Sequence, residues 1–318
     1  MSRPGSGHDG NRGLFAGSVF LAESAALERG PGGTDLDSLS TRNDVAVAQL
    51  TAGRPLEAVE AFDALLVDCR ATLGDIHPTL LVEGNLAAAC FQAGREENGI
   101  QLMASNLANR ELVLGDEHPD TLTARDALAT AHRLAGQLQD ALALYSRVAA
   151  QRSRVLGPAH PDTLISRLGL GLARADTGDL MVAVNVVASA LRDAEQAHGD
   201  RDLHTLTLRW CLGSMQAALG NVEVAVDELS RALTDTDAMF GADHPDTLAV
   251  REELRQLTAA AEATASGRST ETGSWPPNPA VDPLTARYGA ASTGRPPNSR
   301  PPIGGAPGAE ALGPPSPA

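Results

Sequence analysis

LGDEHPDTL, residues Leu114–Leu122, decides the fold, because the same phrase returns along the chain at a fixed interval. LGDIHPTL (Leu73–Leu80), LGPAHPDTL (Leu156–Leu164), HGDRDLHTL (His198–Leu206) and FGADHPDTL (Phe240–Leu248) repeat it, and GGTDLDSL (Gly32–Leu39) is a worn copy. Gly115, Gly157, Gly199 and Gly241 stand 42 residues apart; the step from Gly74 to Gly115 is 41 because LGDIHPTL lacks the Asp of HPDT. A constant period of this size predicts a stack of identical supersecondary units, each burying its apolar face against its neighbours.

Working outward from Leu114–Leu122 gives the unit. His118 stands at a helix N-cap, Pro119 fits the first turn, where its missing N–H costs nothing, and the Asp120 carboxylate lies near the positive end of the helix dipole. Leu122, Leu128 and Ala129 then follow at helical spacing until Gly136 stops the helix. A second helix carries Ala141, Leu144, Tyr145, Val148 and Val155 and ends at Gly157, so each unit reads as an antiparallel helix hairpin. Seven residues before each inter-helix glycine stand Ala46, Ala87, Ala129, Gly171 and Gly213, and five after it Ala58, Gly99, Ala141, Ala183 and Ala225. Only small residues suit the point where two helix axes come within about 8–10 Å. The fold class expected is all-α, a right-handed superhelical solenoid. Residues 14–262 form the array: Leu14–Arg29 as a lone second helix, five hairpins, and a closing helix from Pro245 to about Glu262. The closing helix has Arg255 where the others have the small residue, as an end with nothing pressing on it allows.

Composition narrows the function. All 25 basic residues are Arg, which excludes lysine Schiff-base and Walker-type phosphate chemistry. Residues 264–318 hold four Arg and three acids, so the net charge of −15 resides in the body, with 21 Arg against 37 acids; a polyanionic nucleic acid is not an expected partner. Cys69, Cys90 and Cys211 lie in apolar helical stretches without CxxC spacing and read as reduced core thiols of a cytoplasmic protein. No apolar run reaches the roughly 18–20 residues of a membrane span, and Leu14–Ala22 is assigned to the array rather than to a signal peptide. Residues 1–13 and 263–318 are expected to be disordered. The second of these segments holds twelve of the 20 prolines amid Gly, Ser and Thr and has polyproline II character.

A hairpin with small residues at the crossing resembles the tetratricopeptide repeat. The 42-residue unit, with (L)G-x-x-HPDTL, then x-x-R-x-x-LA, then G-x-x-x-(A/G), is similar to the kinesin-light-chain type over residues 14–262. That form is common in actinobacteria, a source that the absence of Lys also suggests. The resemblance implies a non-catalytic scaffold that binds a protein or peptide in the concave groove lined by first helices. The alternative is a regulatory sensor whose groove binds a signalling peptide and switches an ATPase or transcription factor. In such repeats an Asn pair before the Leu-Ala step holds the ligand backbone. Here the pair reads Asn43-Asp44, Gly84-Asn85, Asp126-Ala127, Leu168-Gly169 and Trp210-Cys211, so Asn43 and Asn85 alone retain an amide.

Two rows of residues remain. His77, His118, His160, His204 and His244 are one repeat apart, two helix layers or roughly 16–20 Å, too far to share a metal whose ligands lie about 2 Å away; they are read as caps. Arg42, Arg125, Arg167, Arg209 and Arg251, interrupted by Glu83, occupy equivalent places in successive first helices. One reading is a guanidinium stripe gripping the carboxylates of an acidic or C-terminal peptide. The other is that each Arg pairs with acids of neighbouring units and covers Leu with its stem. Arg42, Asn43, Asn85, Arg125, Arg167, Arg209 and Arg251 are therefore the candidate partner-binding residues. No nucleophile–base–acid set, P-loop or metal motif is present in the sequence, so no catalytic residue, metal or cofactor is assigned. Solenoid ends can stack, which leaves monomer and dimer both open.

Overall fold

The structure, a computed structural model, describes residues 34–74 and 77–265. The expected half unit at Leu14–Arg29, the N-terminal segment 1–13 and the Pro-rich tail lie outside the described residues. Helices α1 (Thr34–Thr51) and α2 (Pro55–Leu73) form the first hairpin, followed by α3 (His77–Gln92) with α4 (Glu96–Leu114) and α5 (Pro119–Leu134) with α6 (Leu138–Val155). Next come α7 (Pro161–Asp176) with α8 (Leu180–His198), α9 (Leu203–Ala218) with α10 (Val222–Phe240), and finally α11 (Pro245–Ala265). Each helix packs on the next in sequence, and the described residues contain no strand. The fold is the expected all-α solenoid. Its last helix runs three residues past Glu262 because Ala263 and Ala265 continue an alanine-rich stretch that favours helix.

The repeated phrase acts as read. His118, His160 and His244 accept the N–H of Asp120, Asp162 and Asp246 at Nδ1, each at 3.2 Å. In the divergent copy the histidine falls two places late, and Asp202 takes the cap, accepting from His204 N at 2.8 Å and Thr205 N at 3.3 Å. Burial opposes the charge on Asp202, but these backbone donors together with the nearby His204 and His198 outweigh it and hold its pKa below the usual carboxylate value. Gly136, at φ 74°, closes α5 with a bond from Gln137 N to His132 O of 2.8 Å, a conformation that other residues adopt only with strain.

Hairpins close through the small residues. Ala129 meets Ala141 beneath Leu122, Leu142, Tyr145 and Val148 in one cluster. Where the first-helix residue is Gly, the large-slot side chain of the second helix fills the space a Cβ would need. A Cβ on Gly171 would lie 2.5 Å from Val187 Cγ2, and one on Gly213 would lie 2.8 Å from Leu229 Cγ. Each first helix after α1 also packs on the second helix before it: Leu128 and Ala131 of α5 sit against Ile100, Met103 and Leu107 of α4. Each fully buried Leu in these layers contributes roughly 1.5–3 kcal/mol.

Candidate partner-binding face

Contacts divide each first helix into three faces. On α5, Leu122 and Ala129 point to the second helix of the same hairpin, and Leu128 and Ala131 to the second helix of the preceding one. Thr123, Asp126, Thr130 and Arg133 lie on a third face, turned away from the preceding second helix and reached from α6 by Tyr145 and Arg152. Arg125 lies roughly 120° around the helix from the middle of this face, between the two second helices.

The arginine row is therefore held inside the array. Arg125, 0% exposed, donates to Glu111 Oε1 of α4 at 2.5 Å, to Asp116 Oδ1 of the turn at 2.6 Å and to Gln151 Oε1 of α6 at 2.5 Å. Arg209, 2% exposed, repeats the arrangement with Glu195 and Asp200, both at 2.7 Å, and Asp235 at 3.0 Å. Burial opposes the Arg209 charge, but the surrounding carboxylates outweigh it and raise its pKa. Arg167 pairs with Asp193 at 2.5 Å and donates to Ser189 Oγ at 2.9 Å and Pro158 O at 3.2 Å. At the ends of the described array each row member has a second helix on one side only among the described residues. Arg42 pairs with Asp68 at 2.6 Å with its side chain 42% exposed; Arg251 meets Asp237 at 3.9 Å and is 45% exposed.

Fixed separations underlie this pattern: the acid fourteen residues back (Glu111, Glu195, Asp237) and the acceptor twenty-six forward (Asp68, Gln151, Asp193, Asp235). Glu83, which breaks the row in sequence, is the same bridge with its charges exchanged. Its carboxylate receives Arg70 of α2 at 3.0 Å and Asn106 of α4 at 3.2 Å. Such an exchange within one chain is what pairing between neighbouring units requires, and the contacts support the structural reading of the row.

This third face holds the Asn pair slots. Asn85 Nδ2 donates to Asn43 Oδ1 at 3.1 Å, linking α3 to α1, and Asn43 Nδ2 is buried without a partner among the described residues. Of the seven candidate residues, the structure brings only these two together on this face. The corresponding slots bridge the last two first helices, where Trp210 Nε1 donates to Glu253 Oε2 at 2.6 Å and Ser214 Oγ donates to Glu253 Oε1 at 2.5 Å. Glu253 is 5% exposed and has no cationic partner among the described residues, and burial raises its pKa. Between α5 and α7, Ser166 Oγ donates to Asp126 Oδ1 at 2.6 Å, and Arg152 stands 3.4 Å from the same oxygen. Burial raises the Asp126 pKa while Arg152 and Ser166 oppose that shift. Sequence reasoning recorded Asn43, Asn85 and Trp210 at these slots but not Glu253, and did not see that a first slot bonds to the second slot of the next copy, as Asn43 does to Asn85 and Trp210 to Glu253. Along the same face Val47, Phe91, Ile165 and Leu172 are half-buried and Leu134 is exposed. This is an apolar stripe crossed by polar links.

Fold and face together define a helical-repeat scaffold. Residues 78–150 and 128–196 match the tetratricopeptide repeat family model. The fold is that of kinesin-light-chain-like solenoids. A crystal structure titled as a putative kinesin light chain of nearly identical TPR-like repeats from Podosopora anserina is 23% identical, with a TM-score of 0.58 over 64% of this chain and 97% of that one. A substituted form of that same protein is 22% identical, with a TM-score of 0.59 over 65% and 99%. BtubC (BKLC) from P. vanneervenii is 17% identical, with a TM-score of 0.52 over 92% of this chain and 99% of that one. No curated protein matches the sequence. Among the described residues no helix is long and apolar enough to cross a membrane.

Proposed function

We propose that this solenoid is a non-catalytic scaffold whose concave face receives an extended segment of a protein partner. A tetratricopeptide-repeat fold in general supports protein–protein interaction. Asn43 carries the finer reading. Its amide oxygen is engaged by Asn85, and its amide N–H group is buried with no acceptor among the described residues. An unmet buried donor costs about 1–3 kcal/mol, a cost that a backbone carbonyl of a bound strand removes. Beyond it, the half-buried stripe through Phe91, Ile165 and Leu172 offers apolar contact to the same strand. The arginine row is assigned to cohesion of the array, so an acidic partner is not required. Cys69, Cys90 and Cys211 are buried thiols outside any disulfide, with burial raising the thiol pKa of Cys69 and Cys90, which suits a reducing, cytoplasmic setting.

The test is a peptide selected from a random library on the full chain, with affinity read by fluorescence polarisation. Asn85→Ala, shown by its unfolding midpoint to be folded, is expected to weaken binding about tenfold, equivalent to about 1.4 kcal/mol. Arg42→Ala is expected to leave it within about twofold. The reverse ranking would return the arginine row to the binding site and remove the amide pair from it.

A further inference from the structure

At one place the array departs from its own repeat, and the departure opens a pocket. In the last three hairpins the residue four before the inter-helix glycine bonds to the residue one after it, across the turn. His132 Nδ1 bonds to Gln137 Oε1 at 2.5 Å, Arg174 donates to Asp179 at 3.3 Å, and Asn221 Nδ2 donates to Gln216 Oε1 at 2.8 Å. In the hairpin of α3 and α4 those places are held by Cys90 and Arg95, and a cysteine is too short to bridge them. Arg54, in the first hairpin, pairs instead with Glu57 at 2.9 Å, but α4 has Asn98 at the place of Glu57. The Arg95 side chain is thus left without a hydrogen bond or ion pair among the described residues. A second departure faces it. Ten residues after the inter-helix glycine the later second helices have Ala104, Ser146, Ala188 and Ser230. There α2 has Asp63, whose carboxylate also has no bonded partner among the described residues. Both charges line one open pocket of about 360 Å³ between α2, α3 and α4. Its apolar part is Val59, Cys90 and Leu102, and the exposed amides of Asn98 and Gln101 complete it. Burial raises the Cys90 thiol pKa, Asp63 adds to the rise and Arg95 opposes it, so both charges act on the thiol, yet they do not pair with each other.

We propose that this pocket binds a free α-amino acid with an apolar side chain. An acid and a base that line one pocket without pairing call for a ligand that carries both signs. The Arg95 guanidinium offers its planar fork to a carboxylate, and the Asp63 carboxylate accepts from an ammonium group. The amides of Asn98 and Gln101 bond to the same polar end, and an apolar side chain lies on Val59, Cys90 and Leu102. A volume near the lower end of the roughly 300–1,000 Å³ of small-molecule sites suits one amino acid. A longer peptide holds its two terminal charges too far apart to meet Asp63 and Arg95 together, and a simple anion leaves Asp63 unanswered. The repeat adds a second argument. Each unit meets the same packing problem, so a unit that gives up a bond its sisters keep is where a function is expected to stand. The pocket lies at the turn between α3 and α4 and against α2, apart from the face proposed for a protein partner, and does not depend on that reading.

The experiment is equilibrium dialysis of the full chain against radiolabelled L-leucine, L-methionine and L-phenylalanine at millimolar concentration. L-Leucinamide and 4-methylpentanoate, which lack the carboxylate and the ammonium group respectively, serve as competitors. Saturable binding of at least one amino acid is expected, and neither competitor should displace it when present at equal concentration. Asp63→Asn and Arg95→Gln should each weaken binding at least about tenfold, the effect of losing one charge-assisted hydrogen bond. Both residues are exposed, so these variants should keep the native unfolding midpoint. Cys90→Gln combined with Arg95→Asn copies the pair Gln216 and Asn221; it should close the pocket, abolish binding and leave the midpoint unchanged or higher. Absence of saturable binding by the native chain would overturn the proposal. So would affinity that survives both single charge changes, or displacement by the singly charged analogues as effective as by the amino acid itself, which would reduce the site to an apolar crevice.

Discussion

Replacing Arg125 by alanine should destabilise the array far more than the same change at Arg42, although the two residues are equivalent in sequence. Arg125 is fully buried and joins α4, the following turn and α6 through Glu111, Asp116 and Gln151. Removing one partner from a buried ion pair costs about 3–5 kcal/mol. Glu111 and Asp116 are 34% and 43% exposed and regain water when the guanidinium goes, so the cost falls to the bottom of that range or just below it, about 2–3 kcal/mol. Arg42 and Asp68 are 42% and 52% exposed, and a pair of that kind contributes less than about 1 kcal/mol. With a urea m-value of about 2–3 kcal/mol/M, Arg125→Ala should lower the midpoint by about 1 M and Arg42→Ala by less than half of that. Far-UV circular dichroism reads the transition. Because a repeat array can unfold in sections, hydrogen exchange of α4, α5 and α6 should locate the loss. Equal midpoints for the two variants, or an undiminished midpoint for Arg125→Ala, would refute the reasoning that burial between second helices makes this row a structural bolt.

Other outcomes follow from the same contacts. Glu253 has a folded-state pKa raised by burial, so the folded protein binds its proton more tightly than the unfolded chain does. Stability falls as pH rises from the unfolded carboxyl pKa through the folded one. Glu253→Gln keeps an acceptor for Trp210 and can donate to Ser214. Its melting temperature relative to the native protein should therefore rise between pH 4.5 and pH 7.5, and a constant difference would count against the buried charge. Gly213→Ala should cost about 1–3 kcal/mol in urea unfolding, since the new Cβ falls 2.8 Å from Leu229 Cγ; no loss would show that α9 and α10 are not in close contact there. For the exchanged bridge, the double variant Arg70→Glu with Glu83→Arg should be more stable than the two single losses predict, by at least about 0.5 kcal/mol. Additive losses would mean that Arg70 and Glu83 do not act as a pair.

The fold was legible because one phrase, with its cap and its glycine and in most copies a Pro at the helix start, marks the hairpin boundaries at a period of 42 residues, shortened once to 41. Small residues at Ala129 and Ala141 then fixed which faces meet. The arginine row was legible as a row but not as a direction. Periodicity says that Arg125 and Arg167 are equivalent, whereas the side on which they lie depends on where two second helices pack, which a one-dimensional spacing does not carry. Glu83 concealed the answer for a related reason. The residue missing from LGDIHPTL shortens its distance to Arg70 to thirteen, so the exchanged pair falls out of step with Glu111 and Arg125. The family's Asn pair is two adjacent residues of one helix. The bonds instead run between helices, from Asn85 to Asn43 and from Trp210 to Glu253, and only the packed array brings those slots within 3.1 Å.

The most direct test of the account is a hydrogen-exchange footprint of a library-selected peptide on the full chain, compared with the free protein. Protection confined to first helices, centred on α1 and α3 around Asn43 and Asn85 and extending along Phe91, Ile165 and Leu172, is the predicted result. Protection on the second helices, with the first helices unchanged, would contradict the assignment of the concave face as the binding surface.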